Sequence, residues 1–343
     1  MTNERLHAIA GRYPRLRIGV VGDYFLDRYL HIDPAKAETS IETNLPVHNV
    51  VKVRAQPGAA GTILNNLVAL GIGEIHAVGF CGADGEGYEL RRALEAQPGV
   101  RLEHFVTSPE RATPVYCKPL VFEAGREPRE LSRLDTKNWT PTPDALQQCL
   151  AELITELAPR LDVLLLLDQL ELPETGVVTQ RVTAAVHAAQ KKNESLLVLA
   201  DSRRGLHHFP PLGFKMNAAE LGRMTRSAVI DLEGVKSHAA DLARTTGRPV
   251  FVTLAEQGIV GTLAGDCPEH VIAQPVRGPI DVVGAGDAVM ANLASALAAG
   301  ADVREAMELA MAAASIVIHQ LGTTGTASVT QIAGLLMQRV DQW

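Results

Sequence analysis

The stretch GPIDVVGAGDAVMANLASALAAG, residues 278–300, sets Asp287 directly after Gly284, Ala285 and Gly286 and ahead of a long apolar run of helical character. The first turn of a helix offers unpaired backbone N–H groups and a partial positive charge. Glycines let such a backbone approach a ligand closely, so the arrangement suits an anion, most often a phosphate. A carboxylate there repels a phosphate unless it faces the attacking group instead. Asp287 then accepts the proton of a substrate hydroxyl, while the amides of Gly284, Ala285 and Gly286 take up the charge developing on a transferred phosphoryl group. The plainer alternative is a first-turn acid favoured by the helix dipole. The dinucleotide pattern G-x-G-x-x-G fails because Val289 occupies the third glycine's place, and no G-x-x-x-x-G-K-[ST] occurs.

The elements that must position this site follow from the apolar pattern. RLRIGVVGD (15–23) reads as a buried first strand, and further strands are expected at 74–82, 162–168, 195–201, 214–217 and within 248–258. Helices are expected at 58–71, 84–96, 143–158 and 175–191, with three more closing the chain. Regular alternation predicts an α/β fold: a mainly parallel central sheet with helices on both faces. Two β-rich inserts, 28–57 and 102–135, interrupt it and read as one small accessory sheet built from two pieces of chain. Asp201, Arg203 and Arg204 follow a strand end, where ligand groups gather in open α/β sheets.

The bulk numbers exclude several classes. The chain has 343 residues, 46% hydrophobic and 21% charged, as expected of a globular protein with a core that can stand alone. A net charge of −7 with no basic tract argues against nucleic acid as partner, and 4% aromatic residues against a stacking platform. The four cysteines form no C-x-x-C pair and fit free thiols in a reducing cytoplasm. His207-His208 has no matching metal spacing and reads as loop. MTNERLHAIAGRYPRLR is too polar for a signal peptide, and no apolar run reaches the roughly 18–20 residues of a membrane span.

DVVGAGDAV resembles the C-terminal signature of the ribokinase-like (PfkB) carbohydrate kinases. VVGDYFLDRYL, PGAAGTILNNLVALG, FCGADGEG, ADSRRG, MNAAEL, VTLAEQG and AAASIVIHQLGTTGT follow in that family's order, so the likeness spans about residues 15–340. VVGDYFLDRYL, RLD (133–135) and LGTTGT (321–326) are most similar to the branch that phosphorylates D-glycero-β-D-manno-heptose 7-phosphate. The bifunctional members of that branch continue into a nucleotidyltransferase domain, for which this chain is too short. The resemblance implies a single kinase domain over 1–343 with a three-layer α/β/α fold, the two inserts serving as a lid and a homodimer pairing through it. It implies ATP and Mg²⁺ as cofactors, K⁺ in some members, and a small sugar as substrate.

By the same resemblance, Asp287 is the base and Gly284, Ala285 and Gly286 the anion hole. Asp27 binds sugar hydroxyls, although without the family it reads as a solvated loop acid beside Arg28. Gly58 opens the sugar-binding Gly-Gly motif, with Ala59 in place of the second glycine and Thr62 in place of an asparagine; these departures bear on which sugar is taken. Lys118 and Arg133 face a substrate phosphate or else solvent. Asn217 and Glu220 lie near Mg²⁺, Glu220 through metal-bound water; the same pair reads as a helix capping box. Arg203 or Arg204 replaces a family lysine. Thr253, Glu256 and Gly258 form the nucleotide-side loop, and Ala314, Ser315 and Ile318 lie by the adenine. Asp281, Val283 and Gly322 match positions that hold a monovalent cation. The competing assignments are a kinase of a sugar acid, hexose or nucleoside, and a catalytically silent sugar- or nucleotide-binding regulator on the same fold; a dehydrogenase lacks its fingerprint.

Overall fold

The computed structural model describes residues 1–123, 125–227 and 231–337. Its central sheet has ten strands. Across the sheet they run Glu269–Val271, Ile259–Thr262, Val250–Thr253, Gly213–Asn217, Leu197–Ser202, Val163–Asp168, Arg17–Gly22 and Glu74–Gly82, with Val100–Arg101 and Phe105–Ser108 both pairing on the last. From Val250–Thr253 to that edge every pairing is parallel; the two strands at the opposite edge turn back antiparallel. Val163–Asp168 is buried at every position, as a strand covered on both faces must be. Side chains alternate between two cores. Ile18, Val20 and Leu165 pack with the helices Ala60–Leu70, Ala285–Ala298 and Val303–Ile318. Val21, Leu164 and Leu166 pack with Asp144–Leu157, Gln180–Lys192 and Leu232–Thr246. These are the three layers.

A second, five-stranded sheet stands apart from the first. Tyr24–Ile32 is antiparallel to Val50–Ala59 and parallel to Val115–Val121, which in turn pairs antiparallel with Arg129–Glu130 and Leu134–Thr136. The two separate pieces of chain therefore meet in one small sheet. The expected boundaries shift in three places. The small sheet begins at Tyr24 rather than at 28, because Tyr24, Phe25 and Leu26 are fully buried and continue the apolar core. Phe105–Ser108 leaves the small sheet and extends the central one alongside Gly79–Gly82. The helix expected from 175 starts at Gln180, where the Thr179 side chain caps it by accepting from Val182 N–H. Among the described residues, no helix is long and apolar enough to cross a membrane, and all four cysteines are free.

Candidate active site

A cavity of about 410 Å³ opens between the carboxyl ends of the central strands and the small sheet. Asp287 and its glycine turn form one wall. The helix Ala285–Ala298 starts on Gly284 in a left-handed conformation, φ 84°, with no side-chain cap. A Cβ at Gly284 would lie 2.6 Å from Thr324 Cγ2, so conformation and space both require glycine. The Ala285 N–H donates to the Val282 carbonyl at 3.2 Å, whereas the amides of Gly286 and Asp287 find no acceptor among the described residues. Of the expected Gly284–Gly286 set the turn takes up only the Ala285 amide, and the Gly284 amide likewise finds no acceptor among the described residues. Lys215 joins them: a Cβ at Gly286 would stand 2.9 Å from its Nζ.

The electrostatics of this wall are set by burial. Lys215 is 6% exposed and holds Asp201 Oδ2 at 2.6 Å. Burial pulls its pKa down, but the carboxylates of Asp201, Asp287 and Glu220 more than offset that, and the net shift is upward. Asp287 is pushed up to about 7, first by burial; Lys215 and Arg203 draw it down, while Asp201 and Asp27 push it further up. No hydrogen bond occupies its carboxylate among the described residues. A free carboxylate with a pKa near neutrality is matched to general base work.

The facing wall comes from the small sheet. Asp27 is 5% exposed and accepts a hydrogen bond from Thr324 Oγ1 at 3.4 Å. Burial raises its pKa against the pull of Lys118, Thr324, Arg133 and Arg54. A Cβ at Gly58 would fall 2.5 Å from Asp27 Oδ1, so Gly58 makes room for that carboxylate without itself lining the cavity. Ala59 does line it, at φ 54° and ψ −116°, a conformation natural only to glycine. Thr62, Lys118 and Arg133 complete this side. Arg133 lies over the Tyr116 ring at 4.6 Å and pairs with Asp135 at 2.6 Å. Arg54 ties the small sheet to the loop after the helix Val303–Ile318, donating to the Gly322 carbonyl at 2.6 Å and to Thr323 Oγ1 at 3.0 Å.

At the far end of the cavity, Asn217 and Glu220 form the capping box at the start of Ala218–Thr225. The Asn217 N–H donates to Glu220 Oε2 at 2.8 Å, and the Glu220 N–H to Asn217 Oδ1 at 2.9 Å. Both also line the cavity, so the capping and ligand readings hold together. Glu220 has its pKa raised by burial, and its Oε1 is left for a hydrated cation. Oxygen donors of this kind fit Mg²⁺. Thr253 lines the same end. Arg203 and Arg204 separate cleanly: Arg203 lines the cavity beside the Gln169 amide, to whose oxygen it donates at 3.0 and 3.1 Å once that amide is turned over, while Arg204 turns back to the buried Asp168 at 2.8 Å.

Other expected residues fall outside the cavity lining. Gly258, at φ 99°, closes the turn into Ile259–Thr262 against the Val271 carbonyl. Ser315 is buried on its helix with no partner for its hydroxyl among the described residues. The Asp281 carboxylate accepts from the Val283 N–H at 3.0 Å, and the Asp281 N–H donates to the Ile318 carbonyl at 2.8 Å. Sequence reasoning missed Lys215, Gln169, Tyr116 and Thr324 as lining residues. Only Lys215 carried a signal: a lone cation inside the otherwise apolar strand GFKMN.

A neutral-range carboxylate, an amide cradle and a buried lysine at the strand ends of a three-layer sheet define a small-molecule kinase of the α/β class. Residues 29–330 match the pfkB family carbohydrate kinase, and the chain belongs to that family. Among curated proteins it is similar to the bifunctional protein HldE of Hyphomonas neptunium, 29% identical over 338 residues, covering 97% of this chain and 66% of that one. It is also similar to the bifunctional protein HldE of Nitrobacter hamburgensis, 31% identical over 313 residues, covering 90% of this chain and 61% of that one. The chain thus spans about two thirds or less of the length of the curated relatives it matches. Two solved structures share the fold. The ribokinase of Arabidopsis thaliana complexed with ribose and ATP aligns with a TM-score of 0.67 at 20% identity, over 94% of this chain and 98% of that one. The phosphofructokinase-2 of Escherichia coli in complex with potassium aligns with a TM-score of 0.70 at 20% identity, over the same shares.

Proposed function

We propose that this protein transfers the γ-phosphoryl group of ATP to a hydroxyl of a sugar phosphate, with a heptose 7-phosphate as the candidate substrate. The observation that carries the reading is that Asp27 and Asp287 line one cavity with Gly284, Gly286 and Lys215. Asp27 accepts hydrogen bonds from sugar hydroxyls and orients the ring. Asp287 takes the proton of the attacking hydroxyl, and its pKa of about 7 lets it do so at neutral pH. The Gly286 and Asp287 amides and the Lys215 ammonium stabilise charge on the phosphoryl group in flight. Asn217 and Glu220 would hold Mg²⁺ through its water shell, and the ion would supply neutralisation of the nucleotide phosphates. Thr253 would stand beside the phosphates, with Gly258 shaping the turn behind it and Ser315 on the adenine side.

The preference for a phosphorylated sugar rests on Lys118 and Arg133, both on the sugar side of the cavity. They place positive charge where a neutral sugar has no use for it. Ala59 and Thr62 would shape the ring contacts. The small sheet would act as a lid and pair with that of a second copy, which fits the exposure of Val50, Val51, Val53 and Leu134 on its strands. Asp281 and Val283 would hold K⁺ if a monovalent cation is used; the Gly322 carbonyl is taken by Arg54. The free thiols suit a cytoplasmic setting. The test is ATP consumption measured against a panel of neutral sugars, nucleosides, sugar acids and sugar phosphates. Turnover on sugar phosphates alone supports the assignment; faster turnover on the unphosphorylated counterparts overturns it.

A further inference from the structure

A second group of side chains lies away from the cavity. The cavity sits at the carboxyl ends of the parallel strands, whereas His76 is the third residue of Glu74–Gly82 and lies near its amino end. It stands level with Arg101 of the edge strand. The chain then turns through Leu102–His104 before pairing again on the same strand as Phe105–Ser108. That turn brings His104 back onto His76, with ring centres 5.5 Å apart and planes at 74°. Each histidine is only 5% exposed. A ring nitrogen of each and a carboxylate oxygen of Glu103 all lie within 4.8 Å of one another.

Edge-to-face packing accounts for the rings but not for their nitrogens. Nδ1 of His76 and Nδ1 of His104 are both buried without a hydrogen-bond partner among the described residues, and buried polar atoms are rarely left so. Nε2 of His76 stands 2.8 Å from Glu74 Oε1. That contact occupies the Nε2 proton and leaves a lone pair on Nδ1, the carboxylate–histidine pairing that orients a ligating imidazole. Burial lowers the pKa of both histidines, against the opposing pull of Glu74, Glu103 and Glu156 and with the help of Arg160. The neutral imidazole, with a lone pair on one ring nitrogen, is the form that binds metal.

We propose that His76, His104 and Glu103 form a binding site for a divalent transition-metal ion of the zinc type, with Glu74 orienting His76. Two imidazoles and one carboxylate suit Zn²⁺ rather than Mg²⁺. Ligand atoms about 2.0–2.2 Å from an ion stand at most about 4 Å apart, so the three groups, now within 4.8 Å of one another, have to draw together only slightly. The ion would pin the turn at 102–104 to the sheet edge, between the two short strands Val100–Arg101 and Phe105–Ser108 that pair on either side of it.

The test uses the full-length protein stripped with a chelator and then titrated with Zn²⁺ by calorimetry and with Co²⁺ by visible absorption. One ion per chain is expected, with the bands of tetrahedral Co²⁺ and a melting temperature raised by several degrees. Glu103→Gln, at an exposed position that leaves the fold intact, and His104→Asn should each weaken binding more than about tenfold, and Glu74→Gln by roughly 10–100-fold. Kinase turnover of Glu103→Gln should be unchanged. Replacing His207 and His208 by Gln should leave binding unaltered. The site is refuted if the wild type binds no stoichiometric ion, if Glu103→Gln and His104→Asn bind as tightly as the wild type, or if the His207/His208 variant loses the ion.

Discussion

Replacing Asp287 by Asn should make the ligand-free protein more stable at pH 8 and leave its stability almost unchanged at pH 4. The carboxyl is raised from 3.8 to about 7 in the folded protein. Between those values the native state holds a proton that the unfolded chain has released. The stability contributed by the neutral carboxyl is present below 3.8 and is lost as pH rises through about 7. At 1.36 kcal/mol per pH unit, charging this carboxyl in place costs up to about 4 kcal/mol above pH 7. The neutral amide of the Asp287→Asn protein carries no such cost. Solvent reaching the carboxylate through the cavity reduces the figure, so a gain of about 1–4 kcal/mol is expected at pH 8. Urea denaturation of both proteins at pH 4, 6 and 8, without ligands, measures it. A constant gap across that range, or a wild type that is the more stable at pH 8, would refute the account of Asp287 as a carboxylate charged against its surroundings.

Three further outcomes follow from the same geometry. Lys215→Met removes the cation that draws the Asp287 pKa down; the acid limb of kcat/KM should move to higher pH, and turnover should fall by roughly 10²-fold or more for the loss of a transition-state charge partner, read from pH–rate profiles. Ala59→Gly relieves a backbone held at φ 54° and should raise stability by about 1–3 kcal/mol in chemical denaturation; no gain would mean the turn relaxes in solution. Asp27→Ala should weaken sugar binding by roughly 10–100-fold, the worth of hydrogen bonds to a charged group, and leave ATP binding near normal in calorimetric titrations. Equal loss of both ligands would remove its sugar-specific role.

Much of this arrangement was legible in sequence because the residues concerned carry local signals. The apolar run of Val163–Asp168 has no other stable place than a doubly covered strand. The glycine turn before Asp287 announces a helix start open to an anion, and Asn217 with Glu220 spells its own cap. What was hidden depends on tertiary pairing. Phe105–Ser108 looks like any short β run, and only the parallel neighbour Gly79–Gly82 assigns it to the central sheet. Lys215 is one cation in a five-residue strand, and its importance arises from Asp201, fourteen residues away in sequence. The Ala285 amide was counted as a free donor, but the turn spends it on Val282. Arg203 and Arg204 are indistinguishable as neighbours until Asp168 claims one of them.

The central claim is that Asp287 is the general base for phosphoryl transfer. Single-turnover transfer from ATP to a confirmed sugar substrate by the Asp287→Asn protein tests it most directly, with ATP affinity measured alongside. A rate lower by about 10²–10⁴-fold is expected, the usual worth of a positioned base, with ATP affinity retained or improved as a negative charge near the phosphates is lost. Transfer at a near-normal rate would reduce Asp287 to an acid at a helix start and contradict the mechanism.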